Sequence, residues 1–145
     1  MRNQPELIRP ARPDDGERVW PLARDFATSF TPERSAFDRT WKLLVGAPDT
    51  LLLVAEIDDG DITGYLLGHS HQTFLANGRV AWIEELMVEQ NHRRRGIGRG
   101  LIGHAEHWAR CTGAAYIALA SRRAGPFYTA LGYHDSAVYY KKTLS

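Results

Sequence analysis

Apolar positions along this chain change their spacing several times, and each change marks an element. Leu7–Ala11 reads as a short first strand. Asp14-Asp15-Gly16-Glu17 then opens a helix whose inward side carries Val19, Trp20, Leu22, Ala23, Phe26 and Ala27. A second helix starts at Thr31-Pro32-Glu33-Arg34, a cap-like residue ahead of a proline, and runs to about Val45 before Gly46 and Pro48 stop it. Thr50–Ile57 is an apolar strand, Asp58-Asp59-Gly60-Asp61 a hairpin turn and Ile62–Gln72 the returning strand. Asn77-Gly78 turns the chain once more, into Arg79–Val88.

Helical spacing returns after Val88, with Leu101, Ile102, Ala105, Trp108 and Ala109 on one apolar face of a helix that ends near Gly113. Ala115–Ala120 is a short strand, Ala124–Leu131 a helix closed by Gly132, and Tyr133–Leu144 supplies one or two closing strands. A strand meander followed by alternating strands and helices predicts an α/β fold: a mixed, mostly antiparallel central sheet with helices on both faces. Its parallel pair is Arg79–Val88 with Ala115–Ala120, joined by the crossover helix. With 145 residues, 43% of them apolar, residues 1–145 are read as one domain with a real core.

Charge and cysteine usage narrow the function classes. The formal net charge is only +1, so the basic run at Arg93–Arg95 is a local feature on a balanced body. No aromatic residues interleave that run, and nucleic acid is not the expected partner. Cys111 is the single cysteine, and no Cys/His spacing suits zinc, so a reducing cytoplasm and no metal are expected. The start Met1-Arg2-Asn3-Gln4-Pro5-Glu6 lacks the apolar stretch of a signal peptide. No segment approaches about 18 consecutive apolar residues, so no membrane association is expected.

The most informative stretch is His92-Arg93-Arg94-Arg95-Gly96-Ile97-Gly98-Arg99-Gly100, between a strand and a helix. A glycine turn lets the backbone approach a ligand closely, and the free N–H groups and positive dipole end of the following helix favour an anion. Arginines add forked donors that match phosphate oxygens. A triphosphate loop is excluded, since no Gly-Lys-Ser/Thr follows the glycines. A dinucleotide fingerprint matches formally at Gly98-Arg99-Gly100-Leu101-Ile102-Gly103, with Arg122 and Arg123 downstream, but a basic segment separates it from its strand.

The spacing that fits is Arg-x-x-Gly-x-Gly, filled by Arg93, Gly96 and Gly98 after the strand Trp82–Val88, with Ala124-Gly125-Pro126-Phe127-Tyr128-Thr129-Ala130-Leu131-Gly132-Tyr133 downstream. On these two motifs the chain resembles the GNAT superfamily of acetyl-CoA-dependent N-acetyltransferases. Ile8-Arg9-Pro10-Ala11-Arg12-Pro13-Asp14-Asp15 is similar to that family's first strand and turn, so the likeness spans about the whole chain. The resemblance implies that Arg93, Arg94, Arg95, Gly96, Ile97, Gly98 and Arg99 wrap the pyrophosphate of coenzyme A. It implies that backbone groups of Leu86, Met87 and Val88 hold the pantetheine arm, in a gap where the two parallel strands splay apart. The family commonly has an asparagine where this chain has Ser121, so that coenzyme contact is expected in altered form. A homodimer is expected, as in many relatives.

Acyl transfer to an amine needs a proton acceptor and a donor for the departing thiolate. Free amines titrate at about 8 or about 10.4, so a base or water relay near the acceptor nitrogen helps. Glu84 and Glu85 sit in the strand that lines the gap, and strict alternation sends them to opposite faces. Glu84, four positions before Val88, is favoured as the catalytic carboxylate by the resemblance; Glu85 is the alternative and a substrate contact. Tyr128 matches the family tyrosine near the coenzyme sulfur, and a phenol of pKa about 10 is protonated at neutral pH yet acidic enough to serve. Phe26, Phe30, Trp41 and Phe74 are nominated to line the acceptor pocket. With the glutamates they suggest a cationic amine with an apolar portion: a polyamine, amino sugar, amino acid or peptide amine. His69 with His71, and His104 with His107, are read as surface or satisfied pairs and not as metal sites. The alternative reading is a noncatalytic domain that binds acyl-CoA as a sensor.

Overall fold

The computed structural model describes residues 6–58 and 60–144. Met1–Pro5 and Asp59, within the first hairpin turn, lie outside the described residues. Five strands, β1 (Glu6–Pro10), β2 (Thr50–Ile57), β3 (Ile62–Thr73), β4 (Gly78–Val88) and β5 (Ile117–Leu119), form one sheet in chain order. The first three junctions are antiparallel, and β4 with β5 is the parallel pair. Helices are α1 (Gly16–Phe26), α2 (Arg34–Leu44), α3 (Ile97–Cys111) and α4 (Gly125–Ala130). No helix among the described residues is long and apolar enough to cross a membrane.

Side-chain alternation along the strands builds two cores, one on each sheet face. Leu53, Ala55, Leu66 and Ile83 meet Ile97, Leu101, Ile102 and Ala105 of α3 on one side. Val54, Ile62 and Tyr65 meet Val19, Leu22 of α1 and Trp41 of α2 on the other. Trp41 is thus a core residue, its indole N–H donating to the Pro13 carbonyl at 3.0 Å. The second helix starts later than the cap-like Thr31 suggests, because Glu33 is still extended at φ −113° and ψ 135°.

Two further differences matter for the site. Tyr133–Leu144 forms no strand of this sheet, although its composition reads as one; beyond Tyr133 the residues up to 144 are exposed. The pairing of β4 with β5 stops at Ile83 opposite Leu119, whereas β4 continues to Val88. From Glu84 onward, β4 groups that point away from β3 therefore have no strand to bond, and the sheet opens there.

Candidate active site

The basic turn is shaped by backbone conformation on both sides of Arg95. A 3-10 turn at Gln90–His92 ends β4, then Arg94 adopts φ +66° and Gly96 φ +84° before α3 begins at Ile97. Gly96 fits because its left-handed conformation carries no side-chain penalty. The first intrahelical bond runs from the Gly100 N–H to the Gly96 carbonyl at 2.9 Å. The N–H groups of Ile97, Gly98 and Arg99 thus enter the helix with no carbonyl a turn behind to receive them. At Gly98 a Cβ would stand 3.3 Å from Cζ of Phe127, whose ring α4 lays across the helix start, so a larger residue there requires that ring to give way.

Arg93 folds back on β4, its Nε donating to the Val88 carbonyl at 2.9 Å and Nη2 lying 3.7 Å from the Met87 sulfur. Arg94, Arg95 and Arg99 are exposed, and no carboxylate neutralises them among the described residues. The structure also shows why the dinucleotide pattern is coincidental. Its first glycine lies inside α3; a Cβ on Gly100 would come within 2.6 Å of Cδ1 of Ile8, so that glycine admits β1 and not a phosphate. Replacing Gly100 with alanine is expected to move the urea midpoint little, because the atom met is the tip of the Ile8 side chain, which can turn aside, and alanine gains about 1 kcal/mol over glycine in a helix interior.

At the opening of the sheet, β4 carries a bulge. Leu67 pairs with Glu85 and Gly68 with Ile83, leaving Glu84 without an opposite residue. The extra residue resets the side-chain alternation, so strict period-two placement of the two glutamates does not hold. Ile83, Leu86 and Val88 all belong to the α3 side, and Met87 to the side of Tyr65. Both carboxylates border one broad cleft, with Trp82, Leu86, Ser121 and Tyr128 among its other walls. Glu84 is exposed, whereas Glu85 is partly buried and accepts a hydrogen bond from the Tyr65 hydroxyl at 2.8 Å. Burial raises the pKa of Glu85 and the neighbouring Glu84 charge raises it further, with the Tyr65 bond opposing but not cancelling them.

Tyr65 is the residue that sequence reasoning passes over, since a tyrosine in the apolar run Ile62–Gln72 reads as core. The signal was its place on the strand that pairs with the two glutamates. Burial and the Glu85 charge hold its phenol protonated well above the usual range. Burial likewise pushes the Tyr128 phenol up. Its ring packs edge-on against Phe127 at 5.0 Å and Tyr133 at 5.8 Å, and its hydroxyl has no protein hydrogen-bond partner among the described residues. The Tyr133 hydroxyl, in contrast, is committed to Glu106 at 2.8 Å. Ser121 accepts the Ala124 N–H through Oγ at 3.0 Å, which shapes the loop into α4.

The nominated aromatics separate. Phe26 and Phe30 border the cleft from the end of α1 and the loop after it, and core Trp41 touches its floor. Phe74 stands fully exposed in the β3–β4 turn and does not line it. His104 and His107 are engaged singly, His104 Nδ1 lying 2.9 Å from the Gly100 carbonyl and His107 Nε2 3.6 Å from the Cys111 sulfur.

A mixed sheet opened between its parallel strands, with a glycine turn leading into the crossover helix, defines the class: this is the fold of GNAT acyltransferases. The chain belongs to the Acetyltransferase (GNAT) family, whose model matches residues 17–133. Its structure is similar to glucosamine-6-phosphate N-acetyltransferase from Arabidopsis thaliana, with a TM-score of 0.86 and 18% identity over 98% of this chain and 100% of that one. It is also similar to the aminoglycoside N-acetyltransferase AAC(6')-Iy in complex with CoA, at TM-score 0.83 and 19% identity over 99% and 98% of the two chains. A transcriptional regulator from Bacillus halodurans C-125 superposes at TM-score 0.82 with 25% identity, covering 96% and 99%. A search of curated proteins by sequence finds no match.

Proposed function

We propose that this chain transfers an acetyl group directly from acetyl-CoA to a primary amine of a small molecule or peptide, as a cytoplasmic homodimer and without a metal. One observation carries the reading: β4 runs on past its pairing with β5, its open half borders one cleft through Glu85 and Leu86 with Tyr128 as a further wall, and it leads directly into the turn of unneutralised donors that starts α3. The N–H groups of Ile97, Gly98 and Arg99, with the arginines around them, suit the pyrophosphate. The β4 groups from Leu86 to Val88 that face the gap suit the pantetheine amides and the thioester oxygen.

In the transfer, the amine nitrogen forms a bond to the thioester carbonyl carbon as the carbon–sulfur bond breaks. The raised pKa of Glu85 shifts the base role to it from Glu84, because a carboxylate that binds protons more tightly takes one from the amine more readily. Exposed Glu84 on the bulge attracts the cationic acceptor, and Tyr128 gives its proton to the thiolate. Phe26 and Phe30 cover the apolar part of the acceptor. The amino-sugar acceptors in the names of two structural neighbours make an amino sugar the first amine to try.

The test is release of free thiol from acetyl-CoA across a panel of polyamines, amino sugars, amino acids and peptides. Thiol release with a matching acetylated amine supports the proposal; tight acetyl-CoA binding without release on any amine favours the sensor. Two variants refine it. Tyr128→Phe is expected to lower kcat by about 10²-fold at unchanged KM for acetyl-CoA, and an unchanged kcat removes Tyr128 as the acid. Gly96→Ala, which forces a side chain into φ +84°, is expected to raise that KM about tenfold, the equivalent of about 1.4 kcal/mol.

A further inference from the structure

Trp82 lies in the middle of β4, where a tryptophan is ordinarily core, yet it belongs to neither of the two cores. It is half-buried and walls the cleft. Trp20 and Trp41, in contrast, are held between α1 and α2 by aromatic packing on Phe37, with ring centres at 5.3 and 5.7 Å. Among the described residues Trp82 has no aromatic ring against it, no cation over its face and no acceptor for its indole N–H. No buried side-chain nitrogen or oxygen among those residues is left unpaired, so this N–H is open to solvent. The fold makes little use of the ring.

The sheet register sets what stands beside it. Tyr65, Leu67 and His69 alternate along β3 and share the face turned to α1 and α2. Leu67 pairs with Glu85 and His69 with Trp82, so the indole and that carboxylate share the face too, although three residues separate them in sequence. The bulge at Glu84 takes up the odd residue. Two steps along β3 separate their partners by about 7 Å, close enough for both side chains to meet one small group. Across the parallel pair Trp82 meets Ala118, which adds only a methyl group and leaves room on that side.

An indole face is the best aromatic surface for a cation, and the attraction grows where water is partly excluded. Primary amines are ammonium ions at neutral pH. The cationic residues of the cleft, Arg110, Arg122, Arg123 and Lys141, lie on α3 or beyond β5, and not on the strands that flank Trp82. We infer that Trp82 and Glu85 together form the ammonium site of the acceptor, the indole face taking the charge and the adjoining carbon skeleton while the carboxylate accepts from the nitrogen. The acceptor class follows: a primary amine on a flat or apolar skeleton, with no carboxylate or phosphate next to the nitrogen, because such a group would meet two glutamates and an electron-rich ring. An acetylated amine is neutral and loses both attractions, which favours its release. The inference rests on the acetyl-transfer reading only in calling this ligand the acceptor.

The experiment reads binding in the absence of acetyl-CoA, on the full chain labelled with 5-fluorotryptophan, with phenethylamine as the probe ammonium. The four tryptophans give four fluorine lines, and the line lost in Trp82→Phe is that of Trp82. Phenethylamine at pH 7 is expected to move the Trp82 line. It should bind about tenfold more weakly to Trp82→Leu, with Trp82→Phe between that variant and the parent. N-acetylphenethylamine, which lacks the charge, and phenylalanine, which adds a carboxylate, should each bind the parent about tenfold more weakly than phenethylamine. Unchanged acetyl-CoA affinity shows that the variants are folded; where Trp82→Leu is not, the line shift and the ligand ranking on the parent decide. An unmoved Trp82 line, equal affinity of parent and folded Trp82→Leu, or equal binding of phenylalanine overturns the inference. Thiol release is scored separately. Ammonium binding as expected with no thiol released on any amine sinks acetyl transfer and leaves the site standing, and thiol release with an unmoved Trp82 line does the reverse.

Discussion

Glutamine in place of Glu85 is expected to lower kcat by about 10²–10⁴-fold, the range for loss of a positioned base, while acetyl-CoA binding is unchanged. The pH profile supplies the sharper reading. A base must be deprotonated to act, so kcat/KM rises with pH through the pKa of Glu85 in the free enzyme. Burial and the Glu84 charge place that rise above the ordinary glutamate value of about 4.3. Removing the Glu84 charge by Glu84→Gln should move it toward lower pH, and removing the hydrogen bond by Tyr65→Phe should move it higher. Opposite displacements from two neighbours of one carboxylate are hard to obtain if Glu85 is only structural. A Glu85→Gln enzyme with full turnover, or with the same acidic limb, returns the base role to Glu84 or to water.

That experiment turns on a feature the sequence conceals. Arg93, Gly96 and Gly98 were legible because their spacing is a motif written in consecutive residues, and Gly96 answers a local demand, a left-handed backbone at φ +84°; the contact of Gly98 with Phe127 is tertiary and adds to it. Strand and helix periods likewise gave the meander, the crossover helix and the parallel pair, since they follow from which side chains face a core. The bulge at Glu84 leaves no such mark. It exists only in the mismatch between β3 and β4, set by two hairpins and by Gly68, where a Cβ would lie 3.2 Å from the Trp82 carbonyl. Period-two reasoning cannot place Glu84 and Glu85 without it. Tyr65 escaped for the same reason, since its partner lies 20 residues away across that register. The closing strands misled differently: residues 133–144 have strand composition, but composition alone does not pair a segment with a sheet edge.

Truncating Asp15 to alanine is expected to cost about 3 kcal/mol of stability, the low end for breaking a buried ion pair, or about 6–12 °C in Tm. Asp15 is fully buried and Arg9 nearly so. The carboxylate accepts from both terminal guanidinium nitrogens of Arg9, at 2.8 and 3.0 Å, together with the Arg12 N–H at 2.7 Å and Arg18 at 2.8 Å. Arg9 also reaches Glu56 on β2 at 2.8 Å, which softens the loss and sets the figure at the low end. The cluster ties β1 to the start of α1, the helix whose far end borders the cleft. Burial alone would raise the pKa of Asp15, but the bonds and charges of its partners outweigh it and hold the group below its ordinary value. A carboxylate depressed in the folded state stabilises fully above its unfolded pKa of about 3.9, and that contribution is lost as pH falls through the folded value. Acid titration of unfolding should therefore show a steeper loss for the parent than for Asp15→Ala below pH about 4. Replacing the pair together, Arg9→Met with Asp15→Leu, should recover part of the loss, because no charge is left buried alone. If Asp15→Ala melts within about 1 °C of the parent, the cluster contributes nothing net, and β1 is held by its ladder to β2.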